Sequence, residues 1–247
     1  MDIKQYLDST YLKTAAQAGL THGQNLEVVK ATIAEAIAEG FKLVMIRPEM
    51  VQLAKAMVTA DGSEVRVGTV IDFPGGNAPI VQKLKEAQEA IANGADELDF
   101  VLDYQAAKAG DFEKVKKEVL DCTALGLLSG KIVKWIIETA ALDDLQIAQL
   151  SALVKKVVLD NFSAEAYDRV FVKSSTGFYK TPDDSPNGAT IEAVKLMLEN
   201  AWPLPVKASG GVRTYEEAME MIALGVKRIG TSSAKVIAGG GSASGSY

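Results

Sequence analysis

Three observations predict a single (β/α)8 barrel. Short runs rich in β-branched residues alternate with longer segments whose apolar residues fall three and four apart, and this happens about eight times. The short runs are apolar nearly throughout, as parallel strands covered by helices are. No G-x-G-x-x-G follows the first run, which weakens an open dinucleotide-binding sheet, and 247 residues suit one closed barrel.

Taken in order, the first strand candidate spans 6–8 and ends on Asp8. Helical spacing over 26–38 stops at Gly40, and strands are predicted at 42–46 and 65–71. A helix over 81–92 stops at Gly94 before a strand at 97–102. Helices over 112–125 and 145–157 flank a strand at 132–138, and 169–174 is the sixth strand. The polar stretch 180–188 (KTPDDSPNG) reads as a loop, not as a linker between domains. The helices 191–200 and 215–224, the second stopped by Gly225, alternate with strands at 205–208 and 228–231. Residues 1–238 therefore form the barrel, and 239–247 (GGGSASGSY) form a flexible tail with no means of building a core.

Composition narrows the function. The net charge of −6 offers no basic excess for a nucleic-acid backbone, so no nucleic-acid partner is expected. One cysteine, Cys122, excludes an intrachain disulfide and suits a reducing cytoplasm. One histidine, His22, excludes a zinc site built from several His or Cys ligands, and no metal is expected. No apolar run reaches the roughly 18 residues of a membrane span. His22 reads as a surface residue, and Cys122, Trp135 and Trp202 read as packing residues.

In such a barrel, chemistry stands at the C-terminal ends of the strands. Asp8, Asp99, Lys134, Lys173 and Lys207 fall on predicted strands, and Lys173 and Lys207 end adjacent ones. A single strand-end lysine reads equally well as a snorkelling side chain or an ion pair. Two of them, with Asp99 across the barrel, read as chemistry, because burying charges without a use is costly. Neighbouring buried ammonium groups disfavour each other's protons, so one amine becomes a free base able to attack a carbonyl and form a Schiff base. Asp99 would move protons. Spacing alone leaves open which lysine attacks. Small-residue loops follow three successive strands: 174–177 (SSTG), 209–214 (SGGVRT) and 230–233 (GTSS). Backbone N–H groups there, with Ser232 and Ser233 hydroxyls, suit a phosphate.

The runs 171–178 (FVKSSTGF), 205–214 (PVKASGGVRT), 228–233 (RIGTSS), 94–100 (GADELDF), 134–139 (KWIIET) and 8–13 (DSTYLK) resemble the deoxyribose-phosphate aldolase family over nearly the whole chain. The resemblance implies a cofactor-free class I aldolase on a (β/α)8 barrel. It would reversibly join acetaldehyde and glyceraldehyde 3-phosphate into 2-deoxyribose 5-phosphate, taking small phosphorylated sugar and aldehyde substrates. By motif it makes Lys173 the Schiff-base lysine, Lys207 the cation that lowers its pKa, and Asp99 the proton-relay acid. Lys134 becomes a polar neighbour of Asp99. Gly177, Gly210, Gly211, Ser232 and Ser233 fall on phosphate loops, and Asp8 and Thr176 fall where sugar hydroxyls are held. A homodimer is entertained as the assembly.

The chain departs from that pattern at Ser9, where relatives usually carry His, and at Asp72, where many carry Gly. Asp72 thus either alters substrate preference or faces solvent. Met45 replaces a cysteine of some relatives, and the loop 179–187 looks longer, which leaves Lys180 unplaced. The tail admits two readings: an arm that carries Tyr247 to the active site, as in some relatives, or an appended Gly/Ser segment. Competing readings are another Schiff-base aldolase, a phosphosugar isomerase on the same barrel, and a phosphate-binding barrel that has lost catalysis.

Overall fold

The computed structural model describes residues 1–182 and 187–241. Eight parallel strands close in chain order: β1 (Leu7–Tyr11), β2 (Leu43–Ile46), β3 (Arg66–Ile71), β4 (Glu97–Val101), β5 (Ile132–Ile136), β6 (Val170–Lys173), β7 (Val206–Ser209) and β8 (Arg228–Thr231). Pairing of β1 with both β2 and β8 leaves the sheet without an edge. This is the predicted (β/α)8 barrel.

Two strand boundaries differ from expectation by more than one residue, and both bear on the site. β1 continues to Tyr11 because Ser9, Thr10 and Tyr11 pair with Val44, Met45 and Ile46. Asp8 is therefore its second residue, well inside the barrel, and not its end. β5 stops at Ile136 because Glu138 takes a left-handed backbone, with φ of 60°, which no ladder accommodates.

The predicted helices lie within His22–Glu39, Ile80–Ala92, Phe112–Leu128, Asp144–Asn161, Ile191–Ala201 and Tyr215–Leu224. Thr21, Asp143 and Thr214 each close a capping box with the residue three positions on, which fixes where those helices begin. Gly40 and Gly225 end theirs in left-handed conformations, as expected. A further helix, Val51–Asp61, covers the connection from β2 to β3 by burying Val51, Ala54 and Val58.

Strand residues that face the helices form the main core. Trp135 stacks on Phe100 at 5.2 Å, and its indole N–H donates to Thr123 Oγ1 at 3.0 Å. Cys122 is buried in the same layer and burial pushes its thiol up to about 12, so both are packing residues as expected. His22 lies exposed at a helix start. Trp202 does not pack: it is 75% exposed just past the end of Ile191–Ala201, on the short connection into β7. Among the described residues, no helix is long and apolar enough to cross a membrane.

Candidate active site

Side chains alternate across a strand, so residues two apart share a face. Glu97 and Asp99 on β4 both point into the barrel, where they meet Lys134 of β5, Lys173 of β6, Lys207 of β7, Arg228 of β8 and Asp8 of β1. All seven are buried. Register places Asp99 level with Lys134, and Lys173 level with Lys207. Asp99 Oδ1 accepts from Lys134 Nζ at 2.7 Å; its Oδ2 accepts from Lys173 Nζ at 2.8 Å and Lys207 Nζ at 3.0 Å. Lys207 Nζ also lies 2.5 Å from Asp8 Oδ2. Asp8 Oδ1 takes two hydrogen bonds from Arg228, at 2.6 and 2.8 Å. Lys134 Nζ reaches Glu97 Oε2 at 2.5 Å, and Arg228 Nη1 reaches Glu97 Oε1 at 3.1 Å.

Lys173 ends β6 as expected, whereas Lys207 is the second residue of β7 and not its end, because pairing with β8 carries β7 on to Ser209. The two lysines also differ in their surroundings. Burial, helped by the charge of Lys207, brings the Lys173 ammonium down from 10.5 to about 8 against the pull of Asp99. Burial acts on Lys207 too, but Asp8 and Asp99 outweigh it and hold its proton above the usual lysine range. Burial alone would raise the Asp99 carboxyl; Lys134, Lys173 and Lys207 together hold it well below the carboxylate range. Lys173 is thus the amine that gives up its proton, and Asp99 remains a base.

The loops beyond β6, β7 and β8 are tied together above Lys173. Ser174 Oγ donates to Ser209 O and accepts from Ser209 N, while Ser209 Oγ donates to Ser175 O. Thr231 Oγ1 donates to Val212 O at 2.8 Å. Gly177, Gly210 and Gly211 all have φ near +80°, a conformation open to glycine at little strain. Gly188, inside the stretch read only as a loop, lies against Gly210 so closely that a Cβ would fall 2.2 Å from the Gly210 carbonyl. Ser232 is exposed and Ser233 half-buried at the start of Ala234–Ala238.

Glu138 was not singled out from the sequence. Its buried carboxylate accepts from Thr176 Oγ1 at 2.5 Å and from Thr176 N, which shapes the loop after Lys173. Burial raises this carboxyl to about 7 despite those hydrogen bonds.

Opposite β6 the interior is apolar. Leu43 and Met45 of β2 and Val70 of β3 form a separate cluster with Leu12, joined by Phe73 and Phe178. Gly68 of β3 makes room for it, since a Cβ there would fall 2.8 Å from Met45 Cε. The Phe73 and Phe178 rings meet edge-on at 5.0 Å, so the loops after β3 and β6 touch. Arg47 lies 5.1 Å from the Phe73 ring centre and donates to Leu12 O. Asp72 does not lie open to solvent. Its carboxylate accepts from Ala78 N at 2.8 Å and lies 3.3 Å from Lys83, on the helix Ile80–Ala92. Lys83 is fully buried and also bonds Glu118, Gly76 O and Val101 O, which fastens the ends of β3 and β4.

A family model described as DeoC/LacD family aldolase matches residues 5–239. The chain belongs to this aldolase family. It is 39% identical to the deoxyribose-phosphate aldolase of Thermococcus gammatolerans over 234 residues, 94% of this chain and 93% of that relative. It is also 39% identical to the deoxyribose-phosphate aldolase of Brevibacillus brevis, across 100% and 99% of the two chains. Among solved structures, a tetrameric deoxyribose phosphate aldolase from Aeropyrum pernix superimposes with a TM-score of 0.77 at 29% identity, covering 96% of this chain and 89% of its own.

In this aldolase the structure brings Asp99, Lys134, Lys173, Lys207 and Asp8 together, and gathers Thr176, Gly177, Gly210 and Gly211 above them. Asp8 is fully buried with both oxygens engaged by Lys207 and Arg228. Lys180 is exposed, and Tyr247 lies outside the described residues. Glu97 and Arg228 were missed, although Glu97 stands two residues before Asp99 on one strand and so shares its face.

Proposed function

We propose that this chain reversibly cleaves 2-deoxy-D-ribose 5-phosphate to D-glyceraldehyde 3-phosphate and acetaldehyde through a Schiff base on Lys173. The observation that carries the reading is the contrast between two adjacent lysines. Lys173 loses its proton near pH 8, whereas Lys207, 3.0 Å from the same carboxylate oxygen, keeps its own.

The neutral Lys173 amine attacks C1 of the open-chain sugar, and loss of water leaves an iminium. A base removes the C3 hydroxyl proton, the oxygen pair forms the C3 carbonyl as the C2–C3 bond breaks, and the released pair becomes the C1=C2 bond of an enamine while the C=N π pair passes to nitrogen. Glyceraldehyde 3-phosphate leaves with C3 as its aldehyde. Protonation at C2 and hydrolysis of the iminium then release acetaldehyde and the amine. Asp99, a carboxylate flanked by ammonium groups, takes the proton directly or through water, and Lys207 returns one. Asp8 and Lys134 hold these two groups in place. The phosphate sits among Gly177, Gly210, Gly211, Ser232 and Ser233, with Thr176 beside the sugar hydroxyls. The assembly we propose is a homodimer, to be read by light scattering against the tetramer described for the Aeropyrum pernix relative.

Incubation with acetaldehyde and borohydride, followed by peptide mass analysis, tests the assignment. The adduct is expected on Lys173; an adduct on Lys207 with Lys173 unmodified would overturn it. A phosphosugar isomerase would give no adduct at all.

A further inference from the structure

Of the seven buried charges that meet inside the barrel, six form a closed circuit of alternating sign. Arg228 meets Asp8, Asp8 meets Lys207, Lys207 meets Asp99, Asp99 meets Lys134, Lys134 meets Glu97, and Glu97 returns to Arg228. Every link is 3.1 Å or shorter. The circuit holds three cations and three carboxylates and is neutral by itself. Among the described residues, Lys173 stands outside it, joined through Asp99 Oδ2 alone.

We propose that Glu97 and Arg228 are positioning residues that close this circuit and make Lys173 the single surplus cation of the barrel, and so the lysine that is free to attack. Neither touches Lys173; both act through the charge they contribute. The inference rests on the Schiff-base reading above and explains why this lysine, and not Lys207, gives up its proton. Lys134 and Lys207 each bridge two carboxylates, so deprotonating either would leave the circuit with an unmatched negative charge in a buried site. Deprotonating Lys173 leaves the circuit neutral.

The charged groups that face Lys173 are Asp99 from β4, Lys207 from β7, Lys134 from β5 and Glu138 just beyond β5. None changes in the variants below. Arg66, at the start of β3, also reaches Glu97 Oε1 at 3.1 Å, but its side chain is 43% exposed and water screens it.

The circuit predicts opposite effects from its two distal members. Glu97→Gln removes a negative charge, leaves the surroundings more positive, and should release the Lys173 proton at lower pH. Arg228→Met removes a positive charge and should retain that proton to higher pH. Each shift is expected to be about one pH unit, a tenfold change in free amine on the acid side. The double variant is again neutral and should return close to the wild-type midpoint. Arg228→Lys keeps the charge and should stay there as well.

The measurement is the rate at which acetaldehyde and cyanoborohydride modify Lys173, followed by peptide mass between pH 6 and 9.5. Opposite shifts in the single variants, cancelled in the double, would establish the circuit. Midpoints that do not move, or that move the same way, would overturn it while Lys173 still traps aldehyde. Failure of the wild type to trap at Lys173 would instead strike the Schiff-base reading. Melting temperatures cover loss of fold. If the single variants unfold, a double variant that folds supports charge balance, and one no more stable than the singles refutes it.

Discussion

Replacing Lys207 with methionine removes the ammonium 3.0 Å from Asp99 while keeping a chain of similar length. Each carboxylate it touches retains another cation, since Asp8 keeps Arg228 and Asp99 keeps Lys134 and Lys173. The protein should therefore fold, at a cost of about 3–5 kcal/mol for breaking a buried pair. The kinetic effect follows from the fraction of Lys173 that is neutral. With a pKa of about 8, roughly a tenth of it is free amine at pH 7. A return to 10.5 would leave about three parts in ten thousand, a loss of about 300-fold. Burial is the larger cause of the depression and survives the substitution, so 300-fold is a ceiling and about 10- to 30-fold is expected at pH 7. The loss should shrink to a few-fold by pH 10, where the amine is mostly neutral in both proteins. Retro-aldol kcat/KM, coupled to reduction of the triose phosphate product, reads this directly. Equal losses at pH 7 and pH 10 in a folded variant would refute the view that Lys207 works by lowering the Lys173 pKa.

Three other substitutions probe the surroundings. Glu138 is raised from 4.5 to about 7 in the folded state, so its contribution is fully present below pH 4.5 and lost as pH rises to 7. Wild-type stability should therefore fall by about 3 kcal/mol across that window, and Glu138→Gln should flatten the fall in denaturant titrations. Ser233→Asp sets a carboxylate beside the proposed phosphate site; KM for 2-deoxyribose 5-phosphate should rise roughly tenfold or more with kcat little changed. The unphosphorylated sugar should be nearly indifferent, and equal losses for both at unchanged Tm would remove Ser233 from that site. Lys83→Met strands Glu118 and two carbonyls in the core and should cost about 3–5 kcal/mol by chemical denaturation; Lys83→Met with Glu118→Leu should recover part of it, and no recovery would mean the pair is not what Lys83 supports.

The strand-and-helix alternation was legible because it depends on periodicity, which needs no partner. The lysines at 173 and 207 were legible for the same reason, as charges inside apolar runs. Asp8 was misplaced because a boundary is set by the ladder: Ser9 to Tyr11 look like a polar exit until β2 pairs with them. Glu97 and Arg228 open their strands, where a charge ordinarily meets solvent, and only the tilt of neighbouring strands brings them to one level. Gly188 hid in a polar run because close approach of two backbones leaves no trace in composition. Glu138 carries no local signal, since its environment comes from Thr176 on the next strand's loop.

The charged and apolar halves of the interior depend on each other. Desolvation is the leading cause of the lowered Lys173 pKa, and β2 and β3 contribute to it by giving the barrel an apolar side. Had water filled the space beside Leu43, Met45 and Val70, the same ion pairs would be screened, and Asp99 would find it easier to share its charge with solvent than with three lysines. Had the charged half been unpaired, the apolar half would have driven its groups to neutralise one by one. A dry wall on one side and matched charges on the other leave one ammonium without a carboxylate of its own. That ammonium is Lys173, at the mouth end of β6, beneath the loop shaped by Glu138 and Thr176.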